Sequence, residues 1–413
     1  MKFLRNHLLT SRICWTLLIL VISILGQDII IPGIDPAVAD AALSKQTFLQ
    51  MLGVTVGGEL KIPTLLSLGL GPYMIGLIIW QAVSALDFDW VNRLTVNQTG
   101  YIQKTITLIL AILQATQLML YLKPALVPLV LFNQQLPLSV SQMGVVIILV
   151  AGAMFTVFLG NENTEKGLGG ISVLILPGVL IGLPRALQFG WEDSNYSLTL
   201  PHLLVAGVVT VIVIIILVML LQIELRIPLQ RPLIEGTGSK SYLPFKLLVA
   251  GAMPFMFSST LFLIPNELIE ANSRLHSSGF SNFVHTITDQ QTGWGIINYG
   301  VIIMLLTYLF GFITVQPLRL SKQMKENGEY ILNVFPGTAT TEYLVKWFLI
   351  MATFGGLCLV VIAVIPLIIG LKWHGIANYT VYIGSVAILV TIVQGMWEQI
   401  NALYSKYSYR VFN

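Results

Sequence analysis

The sequence predicts an all-α polytopic membrane protein with ten transmembrane helices. Of its 413 residues, 55% are hydrophobic and only 10% are charged, whereas a soluble domain carries about 25% charged residues. The apolar residues also fall into ten stretches of about the 20 residues that a bilayer-spanning helix needs. These stretches are 8–31, 70–86, 105–122, 141–159, 169–187, 201–222, 246–264, 294–315, 347–370 and 378–397.

The first of these stretches has two interpretations. Basic residues precede the apolar run Ile13–Leu25, and Ala37–Ala42 could serve as a cleavage region, as in a secretory signal peptide. The apolar character continues through Ile29–Ile31, however, which gives a length that spans a bilayer. We therefore expect a retained first helix.

The distribution of basic residues predicts the orientation of the chain. With the N-terminus in the cytoplasm, sixteen of the 22 Lys and Arg residues fall on the cytoplasmic side, as the positive-inside rule requires. An even number of spans then returns the C-terminus to the cytoplasm. The net charge of +3 is too small to suggest a nucleic-acid partner.

The stretch Gly69–Gln81 is apolar but contains a proline that should break or begin a helix at Pro72. The same pattern, Gly-x-x-Pro-aromatic-Met, recurs 182 residues later at Gly251–Met256. Broken segments at matching places in two halves of a membrane protein indicate a pathway between the halves. A chance match in an apolar sequence would explain the echo equally well.

The spans carry almost no ionisable residues, which excludes several functions. An ion-coupled transporter usually has carboxylates or histidines at mid-membrane, so proton or sodium coupling is disfavoured. The sequence has no HExxH run and no Walker-type glycine loop, and its two cysteines indicate neither a disulfide framework nor a metal site. We expect no enzyme activity and no cofactor.

Three loops stand out. The apolar segment Thr47–Val54 is too short to span, so it is a re-entrant helix or a helix lying on the outer surface. The basic loops Glu224–Phe245 and Pro317–Lys346 are longer than simple connections need. They form a docking surface for a cytoplasmic partner, or their charges reflect only topology and contact with anionic lipid headgroups.

Eight short motifs, in order along the chain, resemble those of the SecY protein-translocation channel. They are IPGID (31–35), LGLGPY (68–73), LGNENTEKGLGGIS (159–172), RIPLQ (226–230), LPFK (243–246), AGAMPFMFSS (250–259), GEYILNVFPG (328–337) and TEYL (341–344). Their order and spacing cover nearly the whole chain.

The resemblance implies two pseudo-symmetric five-helix halves, residues 1–200 and 201–413, around an hourglass pore. The implied pore ring is Met74, Ile78, Ile175, Val179, Met256 and Ile388. The implied plug lies at about residues 44–60 and includes Thr47, Phe48, Leu49, Met51, Leu52 and Val54. The implied lateral gate, through which a signal sequence exits to lipid, includes Gln81, Ser258, Ser259 and Thr260.

An apolar ring suits such a pore because it offers no site for ions and can gate by dewetting. Methionine is unbranched and deformable, so it can adapt to varied cargo. Considered without the resemblance, Met74 and Met256 are ordinary packing residues. The gate hydroxyls could likewise bond only to the carbonyl four residues earlier in their own helix.

Departures from the family pattern indicate a branch within it. The family usually has Arg-Pro-Gly in its last large cytoplasmic loop, and the arginine of this motif is associated with the motor SecA. This chain has Phe335-Pro336-Gly337 there. It also has Gly169-Gly170 where the family usually has Gly-Asn-Gly. The chain thus resembles the accessory SecY of Gram-positive bacteria, which exports serine-rich glycoprotein adhesins with a dedicated SecA-like ATPase. The predicted motor-docking residues are Arg226, Arg231, Lys240, Arg319, Lys322, Lys325, Phe335, Pro336 and Gly337.

This branch implies a multi-pass protein of the bacterial plasma membrane. The implied partners are the motor, a secretory preprotein with its signal sequence, small SecE- or SecG-like or accessory subunits, and membrane lipid. A divergent housekeeping SecY is the first alternative. A secondary solute transporter is a more remote one, because it would need a compact polar binding site.

Overall fold

The computed structural model describes most of the chain outside several loops. The described residues are 2–43, 63–85, 88–127, 130–131, 134–135, 137–188, 200–230, 241–251, 253–255, 257–258, 261–262, 279–288, 292–371 and 379–409. All predicted plug residues, together with Met256, Ser259, Thr260, Arg231 and Lys240, lie outside these ranges.

The structure is mainly helical. The helices are α1 (Lys2–Gln27), α2 (Pro36–Leu43), α3 (Gly71–Ala85), α4 (Asp89–Asn92), α5 (Val96–Leu122), α6 (Leu138–Lys166), α7 (Leu176–Gln188), α8 (Leu200–Gln222), α9 (Gly279–Thr288), α10 (Gly293–Val315), α11 (Pro317–Glu326), α12 (Thr338–Gly370) and α13 (Tyr379–Tyr409). Short 3₁₀-helices cover Lys123–Ala125 and Ile171–Ile175. The strands are β1 (Val130–Leu131), β2 (Gln134–Gln135), β3 (Glu224–Gln230), β4 (Ser241–Lys246) and β5 (Tyr330–Ile331).

Each of the ten predicted spans contains helical residues. Six helices among the described residues are long and apolar enough to cross a membrane, and they lie in α1, α5, α6, α10 to α11, α12 and α13. The other predicted spans correspond to α3, to α7 with its preceding 3₁₀-helix, to α8, and to the helical residues between Met253 and Phe262.

The chain divides into two compact units. Unit 1 comprises Met1–Ile79, Thr95–Arg185 and Ile392–Asn413. Its core joins α2, α5 and α6 through buried aliphatic side chains such as Ala39, Leu122 and Leu149. The segment before α3 is tied to this core because the N–H of Leu65 donates to the carbonyl of Ile29, just after α1, at 2.8 Å.

Unit 2 comprises Trp80–Leu94 and Ala186–Thr391. Helices α10 and α12 pack along their length and are linked by a 2.8 Å hydrogen bond between the hydroxyls of Tyr308 and Thr353. A three-stranded antiparallel sheet, in the order β4-β3-β5, contributes Ile227, Leu229 and Phe245 to the core of this unit. The sequence predicted no strands in these loops.

Local sequence explains several helix ends. Thr95 and Gln98 form a capping box at the start of α5, and the Thr292 hydroxyl accepts from the N–H of Gly295 at the start of α10. Gln316, in the left-handed region at φ 45°, ends α10 and turns the chain into α11. Pro317 then occupies the first helical position of α11, where the missing N–H costs nothing.

Candidate functional site

The start of α3 carries the first predicted pore residues. The helix begins at Gly71, with Pro72 second, which confirms the predicted start. Gly69 adopts φ 50°, and its N–H donates to the carbonyl of Leu66 at 2.9 Å. Met74 is buried and Ile78 is partly buried, and their spacing of four places them on one side of the helix.

The second half of the chain repeats this start. Gly251 adopts φ 58°, and its N–H donates to the carbonyl of Leu248 at 3.1 Å. Helical structure resumes at Met253, with Pro254 second. Each of these positions lies 182 residues after its counterpart, so the sequence echo is also an echo of backbone conformation, and chance is a poor explanation for it.

The contacts behind these two turns repeat as well. The N–H of Leu247 donates to the carbonyl of Ile223, just after α8, at 2.9 Å, as Leu65 does to Ile29. A glycine also approaches the backbone at each turn, since a Cβ on Gly152 of α6 would overlap the carbonyl of Leu65 and one on Gly355 of α12 would overlap that of Leu247. At the matching leucine, each turn is therefore contacted by a glycine of a neighbouring helix.

Of the remaining predicted pore residues, the three that the structure describes are apolar and buried in their own units. Ile175 ends the 3₁₀-helix before α7, and Val179 lies one turn into α7. Ile388 is buried in α13. Their lining of a pore stays a prediction, as does that of Met74 and Ile78.

Of the predicted gate residues, Ser258 has the most defined surroundings. Its side chain is fully buried, and its hydroxyl lies 3.1 Å from both the Phe255 carbonyl and the Tyr299 hydroxyl of α10. The Tyr299 ring also packs edge-on against Phe262, with ring centroids 5.4 Å apart. Gln81 is partly buried in α3. The gate role of these residues stays a prediction.

Sequence reasoning missed Tyr299. A tyrosine in an apolar span carries no signal of its own, because aromatic residues in helices usually serve packing. Only the structure brings its hydroxyl to Ser258.

A polar junction joins α1, α6 and α13 of unit 1 at the loop that leads into α7. The Asn163 amide of α6 donates to the carbonyls of Leu168 and Gly170 at 2.8 and 2.6 Å. The Thr16 hydroxyl of α1 accepts from the N–H of Leu168 at 2.8 Å, and Gln399 of α13 accepts from that of Gly169 at 2.7 Å. These bonds satisfy the backbone of the loop that leads into α7.

The described parts of the predicted docking loops, 224–230, 241–245 and 317–346, form one folded surface in unit 2. Helix α11 buries Pro317, Ser321 and Met324 against α12 and exposes Arg319, Lys322 and Lys325. On β3, the guanidinium of Arg226 donates to Glu224 at 2.8 Å and lies over the Tyr242 ring of β4. The hydrogen bond to Glu224 raises the pKa of Arg226.

The turn Phe335-Pro336-Gly337 belongs to the same surface. Gly337 has φ 117°, a conformation that L side chains rarely adopt. Its carbonyl accepts from the hydroxyl of Ser321, and the Phe335 carbonyl accepts from that of Thr340, both at 2.9 Å. Phe335 and Pro336 are exposed. Within the described ranges, no group of three or more His, Cys, Asp or Glu residues could hold a metal ion.

Comparison with known proteins identifies the family. The SecY family model matches residues 64–397. This chain belongs to the SecY family. It is therefore a protein-conducting channel protein. Such a protein is a passive, multi-pass protein of the plasma membrane rather than an enzyme.

Three relatives show how SecY proteins of different systems compare with this chain. The accessory Sec system protein translocase subunit SecY2 of Leuconostoc gelidum subsp. gasicomitatum is 30% identical, covering 98% of this chain and 96% of the relative. Protein translocase subunit SecY 1 of Lactobacillus kefiranofaciens is also 30% identical, covering 97% and 95%. SecY of Staphylococcus aureus is 28% identical, covering 95% and 93%.

Solved structures show the SecY fold across nearly the whole chain. A structure described as a protein conducting channel aligns with a TM-score of 0.58 at 17% identity, covering 96% of this chain and 93% of the other. Sec61 in a canine ribosome-channel complex aligns with a TM-score of 0.52 at 17% identity, covering 96% and 93%. The predicted SecY-like fold class is thereby confirmed.

Proposed function

We propose that this chain is the channel subunit of an accessory Sec system that exports serine-rich glycoprotein adhesins with a dedicated SecA-like ATPase. The observation that carries this proposal is the turn at Phe335, where an exposed phenyl ring stands in place of the arginine that the family pattern associates with the ordinary motor. A relative named as an accessory subunit, similar along 98% of this chain, supports it.

In this proposal the polypeptide passes through an apolar ring. The ring comprises Met74, Ile78, Ile175, Val179, Met256 and Ile388, the plug lies at 44–60, and the gate includes Gln81 and Ser258–Thr260. The halves meet at residues 200 and 201, and both termini are cytoplasmic. The matched turns before α3 and before Met253 support two related halves.

The driving force in this proposal comes from outside the channel. The cytoplasmic surface of β3, β4, α11 and the Phe335 turn receives the motor, which pushes the preprotein as it hydrolyses ATP. SecE- or SecG-like or accessory small subunits complete the complex. The signal sequence binds at the gate and leaves into lipid.

Housekeeping export is the second candidate, because the Lactobacillus kefiranofaciens and Staphylococcus aureus relatives, named SecY 1 and SecY without the word accessory, are 30% and 28% identical to this chain. Deleting the gene in its source bacterium separates the two. The accessory role predicts a viable strain that loses the serine-rich protein from its surface and still secretes its other exported proteins, with plasmid-borne wild type restoring the adhesin. Lethality or a general secretion defect would establish the housekeeping role instead. Genes for a second SecA-like protein and glycosyltransferases beside it would agree with the accessory role.

A further inference from the structure

The side chain of Phe335 is exposed to an unusual degree. It is 84% exposed, the largest exposed fraction among the large apolar side chains in the ranges that the structure describes. An apolar ring held in water is unfavourable for an isolated protein. Exposed aromatic residues are also the type enriched at the centres of protein interfaces.

The backbone beneath this ring is held in place. The Phe335 carbonyl accepts from Thr340 at 2.9 Å, and the Gly337 carbonyl accepts from Ser321 and Thr341 at 2.9 and 3.2 Å. The ring is therefore carried on a turn fixed from both α11 and α12. Such preorganisation lowers the entropic cost of binding.

The turn stands too far from the bilayer for the ring to be a lipid anchor. Lys346, an exposed cation, is the last charged residue before the apolar part of α12, so it marks the cytoplasmic edge of the hydrocarbon. Lys346 lies eight positions after Thr338 in the helix, a distance of about 12 Å at 1.5 Å per residue. The headgroup layer extends only about 5–8 Å beyond the hydrocarbon. Phe335 precedes Thr338, so with both termini in the cytoplasm, as proposed above, the ring projects into the cytoplasm.

The surroundings of the turn are basic. Ser321 of α11 contacts the Gly337 carbonyl, and the same helix exposes Arg319, Lys322 and Lys325, three residues apart. Residues at this spacing lie on neighbouring positions of one helix face. A cationic rim beside an apolar centre favours a partner whose own surface places carboxylates around an apolar pocket.

We propose that Phe335 is the anchor of a protein-docking surface and inserts into an apolar pocket, bordered by carboxylates, on a water-soluble cytoplasmic partner. This inference rests on the proposed function, in which that partner is the SecA-like motor. The phenyl ring slows dissociation of the complex, and the cations of α11 speed its association by electrostatic steering.

Binding of purified motor to the full-length channel in nanodiscs tests this proposal. The probes are the SecA-type ATPases of the source bacterium, each measured separately. For the ATPase that binds wild type, Phe335→Ala is expected to raise the Kd at least tenfold, whereas Phe335→Leu changes it less than threefold. The matched control is Phe354→Ala, since Phe354 is 62% exposed but lies in the apolar part of α12; it should leave the Kd unchanged.

Salt separates the anchor from the rim. The ratio of the Phe335→Ala Kd to the wild-type Kd should be the same at 0.1 and 0.5 M salt. The corresponding ratio for a double Arg319→Ala, Lys325→Ala variant should fall towards one at 0.5 M, because salt screens charges.

Two kinds of result would overturn the proposal. If Phe335→Ala binds the motor as wild type does, Phe335 is not the anchor, although the proposed export function stands. If no ATPase binds wild type, the assigned partner is wrong, and the anchor falls with it. Strong quenching of a Phe335→Trp variant by brominated acyl chains would place the ring in the bilayer and also overturn the proposal.

Discussion

The α-carbon of Gly152 lies against the carbonyl group of Leu65, so closely that no side chain fits between them. A Cβ at Gly152 would stand 2.8 Å from the Leu65 carbonyl carbon. At the matching place in unit 2, a Cβ on Gly355 would stand 3.1 Å from the carbonyl carbon of Leu247. Six residues after each leucine, a helix with a predicted pore methionine begins. Each glycine therefore supports the base of one such helix.

Replacing Gly152 with alanine should destabilise the protein. The obstacle is backbone rather than a flexible side chain, so helix α6 or the Leu65 turn must move, and overpacking of this kind costs about 1–3 kcal/mol. The expected result is a lower unfolding temperature of the detergent-solubilised protein. Gly100→Ala in α5, where a Cβ would meet nothing within 4 Å, is the control and should be neutral or stabilising. Equal effects of the two variants would refute the close approach.

Substitution of Asn163 in the polar junction should also destabilise the protein. Asn163→Leu removes two N–H donors, which leaves the buried Leu168 carbonyl and the partly buried Gly170 carbonyl without them. The unpaired buried carbonyl alone costs about 1–3 kcal/mol. We expect a lower unfolding temperature and faster protease cleavage between α6 and α7. Asn161→Leu, two residues earlier on the same helix and only partly buried, should change neither. Unaltered cleavage in Asn163→Leu would mean that the junction does not hold this loop.

The contact between Ser258 and Tyr299 can be measured by a double-mutant cycle. Tyr299→Phe keeps the edge-on contact with Phe262 and removes only the hydroxyl. Each single variant, Tyr299→Phe or Ser258→Ala, should lose about 1 kcal/mol of stability. The double variant should lose less than the sum, because the two hydroxyls share one hydrogen bond. Strict additivity would show that they do not interact.

The turn before α12 depends on the backbone of Gly337. Gly337→Ala meets no atom within 4 Å, but its φ of 117° strains any residue with a Cβ, at a cost of about 1–3 kcal/mol. We expect faster proteolysis within the turn. Gly293→Ala in α10, which also meets no atom within 4 Å and has no positive φ, should leave proteolysis unchanged. If both variants are cleaved at the wild-type rate, the turn does not need its glycine.

The sequence predicted the helical class, the approximate spans and the helix start at Pro72, because apolar length and proline act locally. It did not predict the sheet of β3, β4 and β5. The segment Glu224–Gln230 contains Pro228, which argues against a strand, and its pairing of Leu229 with Ile331 joins residues about one hundred positions apart. Long-range partners of this kind leave no local pattern.

The close contacts of Gly152, Gly355 and Tyr299 could not be predicted from the sequence either. Gly152 and Gly355 look like any small residue in an apolar helix, and Tyr299 like any packing aromatic. Their importance follows from what lies opposite them, which is the backbone of Leu65 and Leu247 or the hydroxyl of Ser258. By contrast, Phe335 is identified by both sequence and structure, since it departs from the family pattern and its side chain is exposed.

The most direct test of the central claim is photo-crosslinking to a stalled export substrate. A photo-reactive amino acid is placed at Met74, on the predicted pore side of α3, or at Ile79, which is 42% exposed and lies about 140° around the helix at 100° per residue. Cells then hold a secretory chain whose folded C-terminal domain blocks its passage. We expect an adduct between the chain and position 74, and little at position 79. Absence of an adduct at position 74, or equal adducts at both positions, would contradict a pore lined by Met74.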